Sequence, residues 1–263
     1  MLIPLNGTAL YQDRYAQCWV YASLTTPAGS PEQALLTMAE RILARIGKVP
    51  FEDYVAVHNL VRYGGRDGGH LSSYNFVTPI FDRSPLLQLR RLQIVDRATR
   101  AMEPGKERVW REPLRMAWVF GNQDVLRYYE LEGGWYVFAD KYWELYEKYQ
   151  NTEWAEEMAW SAAKGDYQTY ICDGPCILAN VAKSLGRYWS TFPSGRWVKD
   201  ALAEAERLVA KGVNYGCMDS TAAAAGESAD FLLETLKKVE VPEKEQLLLQ
   251  VALVVQACGV EHQ

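Results

Sequence analysis

Five cysteines and three histidines stand in this 263-residue chain, and two of them have surroundings suited to chemistry. Cys18 lies in the aromatic run Tyr11-Gln-Asp-Arg-Tyr-Ala-Gln-Cys-Trp-Val-Tyr-Ala-Ser23. His70 follows Gly68-Gly69, whose missing side chains let backbone or ligand approach, and it opens the β-rich run Leu71-Ser-Ser-Tyr-Asn-Phe-Val77. A cysteine is a nucleophile as its thiolate, and a nearby imidazolium or a helix N-terminus lowers its pKa. The remaining histidines offer less. His262 is one residue from the end, and His58, within Tyr54-Val-Ala-Val-His-Asn-Leu-Val61, reads as a satisfied sheet histidine.

The segment around Cys18 resembles the nucleophile region of papain-like cysteine enzymes. Gln12 stands six residues before the pair Cys18-Trp19, as in papain relatives, where that pair opens a helix. Tyr15-Ala-Gln-Cys-Trp-Val-Tyr-Ala22 is similar to the corresponding stretch of animal transglutaminases. The Gln17-Cys18 start and Gly69-His70 at a strand opening are similar to bacterial cell-wall amidohydrolases of the CHAP group. The likeness covers about a dozen residues near Cys18 and two at His70. It implies a thiol-dependent amide hydrolase or acyltransferase. Cys18 would attack, His70 would shuttle the proton, and Gln12 would donate to the developing oxyanion beside the Cys18 backbone N–H. Asp82, with Asn75 second, would hold the imidazole tautomer. The 52 residues from Cys18 to His70 are fewer than papain uses but suit its compact relatives.

The same residues support an inert thiol. Tyr15–Leu24 also reads as a strand with Cys18, Val20, Ala22 and Leu24 on one face, where Cys18 is a small apolar residue. Any helix opening at Cys18 ends before Pro27-Ala-Gly-Ser-Pro31. A redox-sensing thiol is a third reading. Cys172 and Cys176 bracket Asp-Gly-Pro, a turn able to bring two sulfurs together as buried thiols, a local disulfide or half of a metal site. No second pair at matching spacing accompanies them, so no metal and no cofactor is expected. Gly64-Gly-Arg-Asp-Gly-Gly69 is followed by no Lys-Ser or Lys-Thr and is no phosphate loop.

The elements expected to position these residues differ between the halves. An α+β fold is expected: a mixed portion over 1–139 with a small antiparallel sheet, then an all-helical portion over 140–263. Ser30-Pro31-Glu32 reads as cap and first turn of a helix to about Ile46. Tyr54–Arg62, Leu71–Ile80 and Leu87–Val95 read as strands. Asp124–Glu130 and Trp135–Ala139 flank Glu132-Gly-Gly134 and read as a hairpin. Its aromatic residues, Tyr128-Tyr129 and Trp135-Tyr136, read as a sugar or peptide platform or as plain packing. Helices are then expected from Asp140 as a cap through Tyr149, over Trp154–Lys164, from Leu178 to Phe192, from Val198 to Val209, over Glu227–Lys238 and over Glu243–Cys258. The last is apolar on nearly every side and is expected to be central and buried.

Trp154-Ala-Glu-Glu-Met-Ala-Trp160 and Gly186-Arg-Tyr-Trp-Ser-Thr-Phe-Pro-Ser-Gly-Arg-Trp-Val-Lys-Asp-Ala-Leu202 loosely resemble tetratricopeptide-like helical hairpins. That resemblance implies an architecture whose grooves take peptides or partner proteins, with no chemistry of its own. A non-enzymatic peptide- or protein-binding scaffold with Cys18 inert is therefore the alternative to the thiol enzyme.

Composition narrows the partners. With 28 basic against 33 acidic residues the chain is at net −5, so no basic surplus drives phosphate binding and nucleic acid is not an expected partner. The longest apolar run, near Leu247–Ala257, is broken by Gln250 and Gln256 and is too short to cross a bilayer. Met1-Leu-Ile-Pro-Leu-Asn6 shows no charged stretch before an apolar one. A periplasmic or extracellular protein whose leader has been removed and a cytoplasmic one both fit.

Overall fold

The computed structural model describes residues 10–12, 19–21, 31–45, 49–63, 84–102, 112–129, 134–168, 176–212 and 219–257. The chain divides into two compact units, Met1–Val137 and Phe138–Gln263. Most described residues are helical, with two small antiparallel sheets of two strands each.

In the first unit, β1 (Leu10–Gln12) pairs with β2 (Trp19–Tyr21), Gln12 standing opposite Trp19. Pro31 then opens α1 (Pro31–Leu43), with Glu32 near its positive end and Arg41 near its negative end. Its buried stripe is Leu35, Leu36, Met38, Ala39 and Ile42. The run read as a strand at Tyr54–Arg62 is instead α2 (Phe51–Tyr63), with Glu52 and Asp53 in the first turn. Its residues Tyr54 to His58 are all buried, so a run apolar in succession satisfied the strand pattern and the buried-helix pattern alike. Leu87–Val95 is likewise no strand but part of α3 (Pro85–Ala101). The Ser84 hydroxyl accepts the Leu87 backbone N–H at 3.3 Å and Pro85 follows at the first turn, a start signal that outweighs the local alternation. Helices α1, α2 and α3 pack on one another, each pair in contact, around Leu35, Val57, Val61, Leu87, Leu89, Ile94 and Val95.

A short helix, α4 (Pro113–Gly121), leads to the expected hairpin, β3 (Leu126–Tyr129) and β4 (Gly134–Val137). Its register pairs Leu126 with Val137 and Tyr128 with Trp135. Leu126 and Val137 are buried, and β4 lies against α3. The expected strand Leu71–Ile80 and the glycine-rich Gly64–Gly69 fall outside the described residues.

Every regular element among the described residues of the second unit is helical. It comprises α5 (Asp140–Tyr149), α6 (Ala155–Gln168), α7 (Cys176–Val181), a π-helical turn (Ala182–Gly186), α8 (Arg187–Thr191), α9 (Val198–Gly212), α10 (Asp219–Lys237) and α11 (Lys244–Ala257). Asp140 is the first helical residue rather than the cap, which is Ala139, and its carboxylate sits at the favourable end of the α5 dipole. Helix α5 packs on α6, and the continuous helix α7–π–α8 packs on α6 and α10. Helix α11 packs on α9 and α10. Only one stripe of α11 is buried: Leu247, Val251, Val254 and Val255. Leu249 is 64% exposed and Leu253 52%, which corrects the expectation of a central helix. Two neighbouring helices cover one side, and Leu249 and Leu253 beyond that stripe are left exposed.

Candidate functional site

The thiol constellation is placed only in part. Cys18, His70 and Asp82, with Asn75, lie outside the described residues. Gln12 ends β1, opposite the residue that follows Cys18. Trp19–Tyr21 is extended, where the papain-like resemblance implies that Cys18-Trp19 opens a helix. Cys176, the first residue of α7, is disulfide-bonded. The other four cysteines fall outside the described residues.

His58 lies in helix α2 rather than in a sheet. It is 1% exposed, its ring edge-on to Trp118 with centroids 4.6 Å apart. Arg91 Nε donates to its Nε2 at 3.4 Å, and the Arg91 guanidinium also reaches Asn122 Oδ1 and Asp124 Oδ2, each at 3.4 Å. Burial first, then the charges of Arg91 and Arg62, hold its pKa well below the usual 6.5. A buried neutral imidazole that accepts from an arginine is part of the packing of this unit. In the aromatic hairpin, Tyr128 and Trp135 meet edge-on at 5.2 Å, and the Trp135 indole N–H is buried without an acceptor among the described residues. Tyr136 lies under the Arg100 guanidinium at 6.0 Å.

Open space with chemistry around it occurs in the helical unit. The first turn of α5, the α7–π–α8 helix and α10 bound a groove of about 710 Å³. The π-helical turn arises within a helix whose small residues allow close packing. A Cβ on Gly186 would stand 3.0 Å from the Phe231 ring and 3.1 Å from Leu232, so the glycine lets α10 approach. Ser184 Oγ donates back to the Asn180 carbonyl at 2.6 Å. Such π turns recur at functional sites because they break the regular phase of the helix. Here the turn carries Ala182 and Lys183 on the groove side.

Asn180, Lys183 and Arg187 form the polar wall, Asp140 and Glu227 stand on the facing elements, and Phe231, 40% exposed, supplies an aromatic surface. The charges differ in how they are met. Arg187 donates to Glu147 Oε1 at 3.2 Å and its guanidinium lies 3.8 Å from the centroid of the Trp143 ring. The side chains of Asp140, Glu227 and Lys183 make no ion pair among the described residues. Behind Arg187 a chain of rings runs from Trp143 through Tyr146 and Phe192 to Tyr188 and Trp160, with centroids 5.5 to 5.9 Å apart. This stack makes a stiff backing for the wall.

The sequence holds a signal for that wall. Asn180, Lys183 and Arg187 recur at steps of three and four, a polar stripe on a helix most of whose other residues are buried. Asp140 and Glu227 come from distant segments, and nothing in their local sequence joins them to the stripe. Among the described residues no group of three His, Cys, Asp or Glu side chains gathers as a metal site. No helix among them is long and apolar enough to cross a membrane. No protein-family model, curated protein or solved structure matches this chain.

Proposed function

We propose that the chain is a non-enzymatic scaffold whose helical unit holds a peptide or a segment of a partner protein, with Cys18 inert. One observation carries the reading: the groove between α5, α7–α8 and α10 leaves an aromatic ring and three charged side chains facing solvent, the three charges with no ion pair among the described residues. Grooves between packed helices serve this use because rigid elements fix the shape while side chains set the choice of ligand. The test is a selection from a random twelve-residue peptide display library against the full chain, with enriched sequences resynthesised and titrated by calorimetry. Enrichment of a related set of sequences that bind is expected. A selection that yields no binding peptide overturns the reading.

A second reading keeps the thiol enzyme. It rests on the β1–β2 register, which sets Gln12 across from Trp19, next in sequence to Cys18. Here Cys18 attacks an amide carbonyl, His70 carries the proton to the leaving amine, Asp82 orients His70, and Gln12 donates to the oxyanion. Iodoacetamide at near-neutral pH then labels Cys18 ahead of the other thiols, and His70→Ala abolishes that preference. Equal labelling of wild type and variant removes this reading and leaves the scaffold. The disulfide at Cys176 fits an oxidising compartment for either one.

A further inference from the structure

We infer that the groove takes a basic peptide segment, with an apolar side chain laid on Phe231 and lysine or arginine side chains reaching Asp140 and Glu227. This rests on the scaffold reading and names its ligand. Three observations on the groove select the chemistry.

First, the pairing of its charges leaves a negative surplus. Arg187 is matched by Glu147, so the lining charges without an ion pair among the described residues are Asp140 and Glu227 against Lys183. Second, the unit around it is acidic. Phe138–Gln263 carries 12 basic and 19 acidic residues, net −7, whereas Met1–Val137 carries 16 basic and 14 acidic, net +2. A field of that sign raises the local concentration of a cationic ligand and repels an anionic one. Third, Phe231 is exposed beside Ala179 and Ala182, small residues that leave its face clear. A ring so placed accepts an aliphatic side chain, and its face also favours a cation. Lys183 opposes a basic ligand, but its four-carbon stem lets the ammonium swing out to water. The two carboxylates are on shorter stems, of one and two methylenes, and so swing over a smaller range than the Lys183 ammonium.

The experiment uses three fluorescein-labelled nine-residue peptides, one of leucine and lysine, one of leucine and glutamate, and one of serine and lysine. Each is titrated with the full chain by fluorescence anisotropy at low ionic strength. The leucine–lysine peptide binds, and the other two bind about tenfold more weakly, one for charge and one for lack of an apolar anchor. Phe231→Ser weakens the leucine–lysine peptide about tenfold and Glu227→Lys about fivefold. Glu240→Lys makes the same charge change outside the groove lining and leaves affinity within about twofold. Glu227 and Glu240 are exposed and Phe231 is 40% exposed, and circular dichroism and melting temperature check that each variant is folded before its affinity is read. Binding unchanged by Phe231→Ser and Glu227→Lys moves the site elsewhere, and the scaffold reading survives. Equal or tighter binding of the leucine–glutamate peptide overturns the basic ligand. Failure of all three peptides while the display library yields binders also overturns the basic ligand alone. Failure of both experiments removes the scaffold itself.

Discussion

The Tyr188 hydroxyl donates to Glu156 Oε1 across 2.8 Å, from a ring with no exposed surface. The same carboxylate oxygen accepts the Arg196 backbone N–H, and the Tyr188 oxygen accepts the Trp197 N–H at 3.2 Å. One carboxylate and one phenol thus satisfy the turn that joins α8 to α9. Burial first, and then the bond to Glu156, push the phenol far above its ordinary value of 10.0, so it remains a donor across the working range. Tyr188→Phe leaves the Trp197 N–H without its acceptor and Glu156 without one donor. The expected cost is about 1–3 kcal/mol, seen as a lowered melting temperature by calorimetry. A melting temperature equal to wild type would show that the turn holds without this bond.

Glycine substitutions at two positions should have opposite signs. A Cβ on Gly195 would press on Glu156 Oε1 and stand 2.6 Å from the Tyr188 hydroxyl, inside the same node. Gly195→Ala therefore destabilises, by about 1–3 kcal/mol as the node is forced open. Gly121, the last residue of α4, has nothing within 4 Å of an added Cβ and helical backbone. Gly121→Ala restricts the unfolded chain at no steric cost and stabilises by about 0.5–1 kcal/mol. Chemical denaturation of the two variants beside wild type reads both signs at once. A loss at Gly121 or a gain at Gly195 contradicts the packing described here.

Acid should weaken the first unit through His58. Its folded pKa is depressed by burial, Arg91 and Arg62, while the unfolded chain returns it to about 6.5. Below about 6.5 the unfolded state binds a proton that the folded state refuses, so stability is full above that value and falls as pH drops toward the folded pKa. The slope approaches about 1.4 kcal/mol per pH unit for one proton. Urea unfolding at pH 7.5 and 5.5 measures it. The His58→Gln variant, which keeps a polar side chain near Arg91, has a lower stability at neutral pH and a flatter dependence. An equal slope in both proteins would assign the acid loss to other groups.

A Ser-Pro pair marks a helix start in this sequence more reliably than local alternation marks a strand. Ser30-Pro31 marks α1, and the identical pair Ser84-Pro85 marks α3, yet the alternation in Leu87–Val95 points to a strand. Tyr54–Arg62 misleads for another reason: it is apolar in succession, and only packing between α1 and α3 decides that it coils. The β3–β4 hairpin was readable because the Glu132-Gly-Gly134 signal and the paired aromatics are local in sequence. The groove was not, since its two carboxylates are 87 residues apart in sequence and meet the Asn180–Arg187 stripe only through tertiary packing. The Cys18–His70 pair has the same character, since a sequence shows the two groups and not the distance between them.

Cys176 should be found oxidised. It is disulfide-bonded at the first turn of α7, the helix that leads into the groove wall. Non-reducing peptide mapping by mass spectrometry should recover the Cys176 peptide linked to another cysteine peptide or closed within one. Cys176→Ser should lower stability by about 2–4 kcal/mol, the usual worth of a native cross-link. Recovery of Cys176 as a free, alkylated thiol from the native protein contradicts the bond.

The last helix tests how burial, rather than composition, sets stability. Leu247 and Leu249 are chemically identical and two residues apart on α11. Leu247 is fully buried against the neighbouring helices, and Leu249 is 64% exposed. Leu247→Ala removes methyl groups from a packed interior and leaves a cavity, a cost of about 2–5 kcal/mol. Leu249→Gln exchanges an already hydrated side chain for a polar one of good helix propensity, and stability should change by no more than about 0.5 kcal/mol. Urea midpoints of the two variants give the comparison. If Leu249→Gln costs as much as Leu247→Ala, the outer face of α11 is covered in solution, and analytical ultracentrifugation of both proteins then shows whether a second copy covers it.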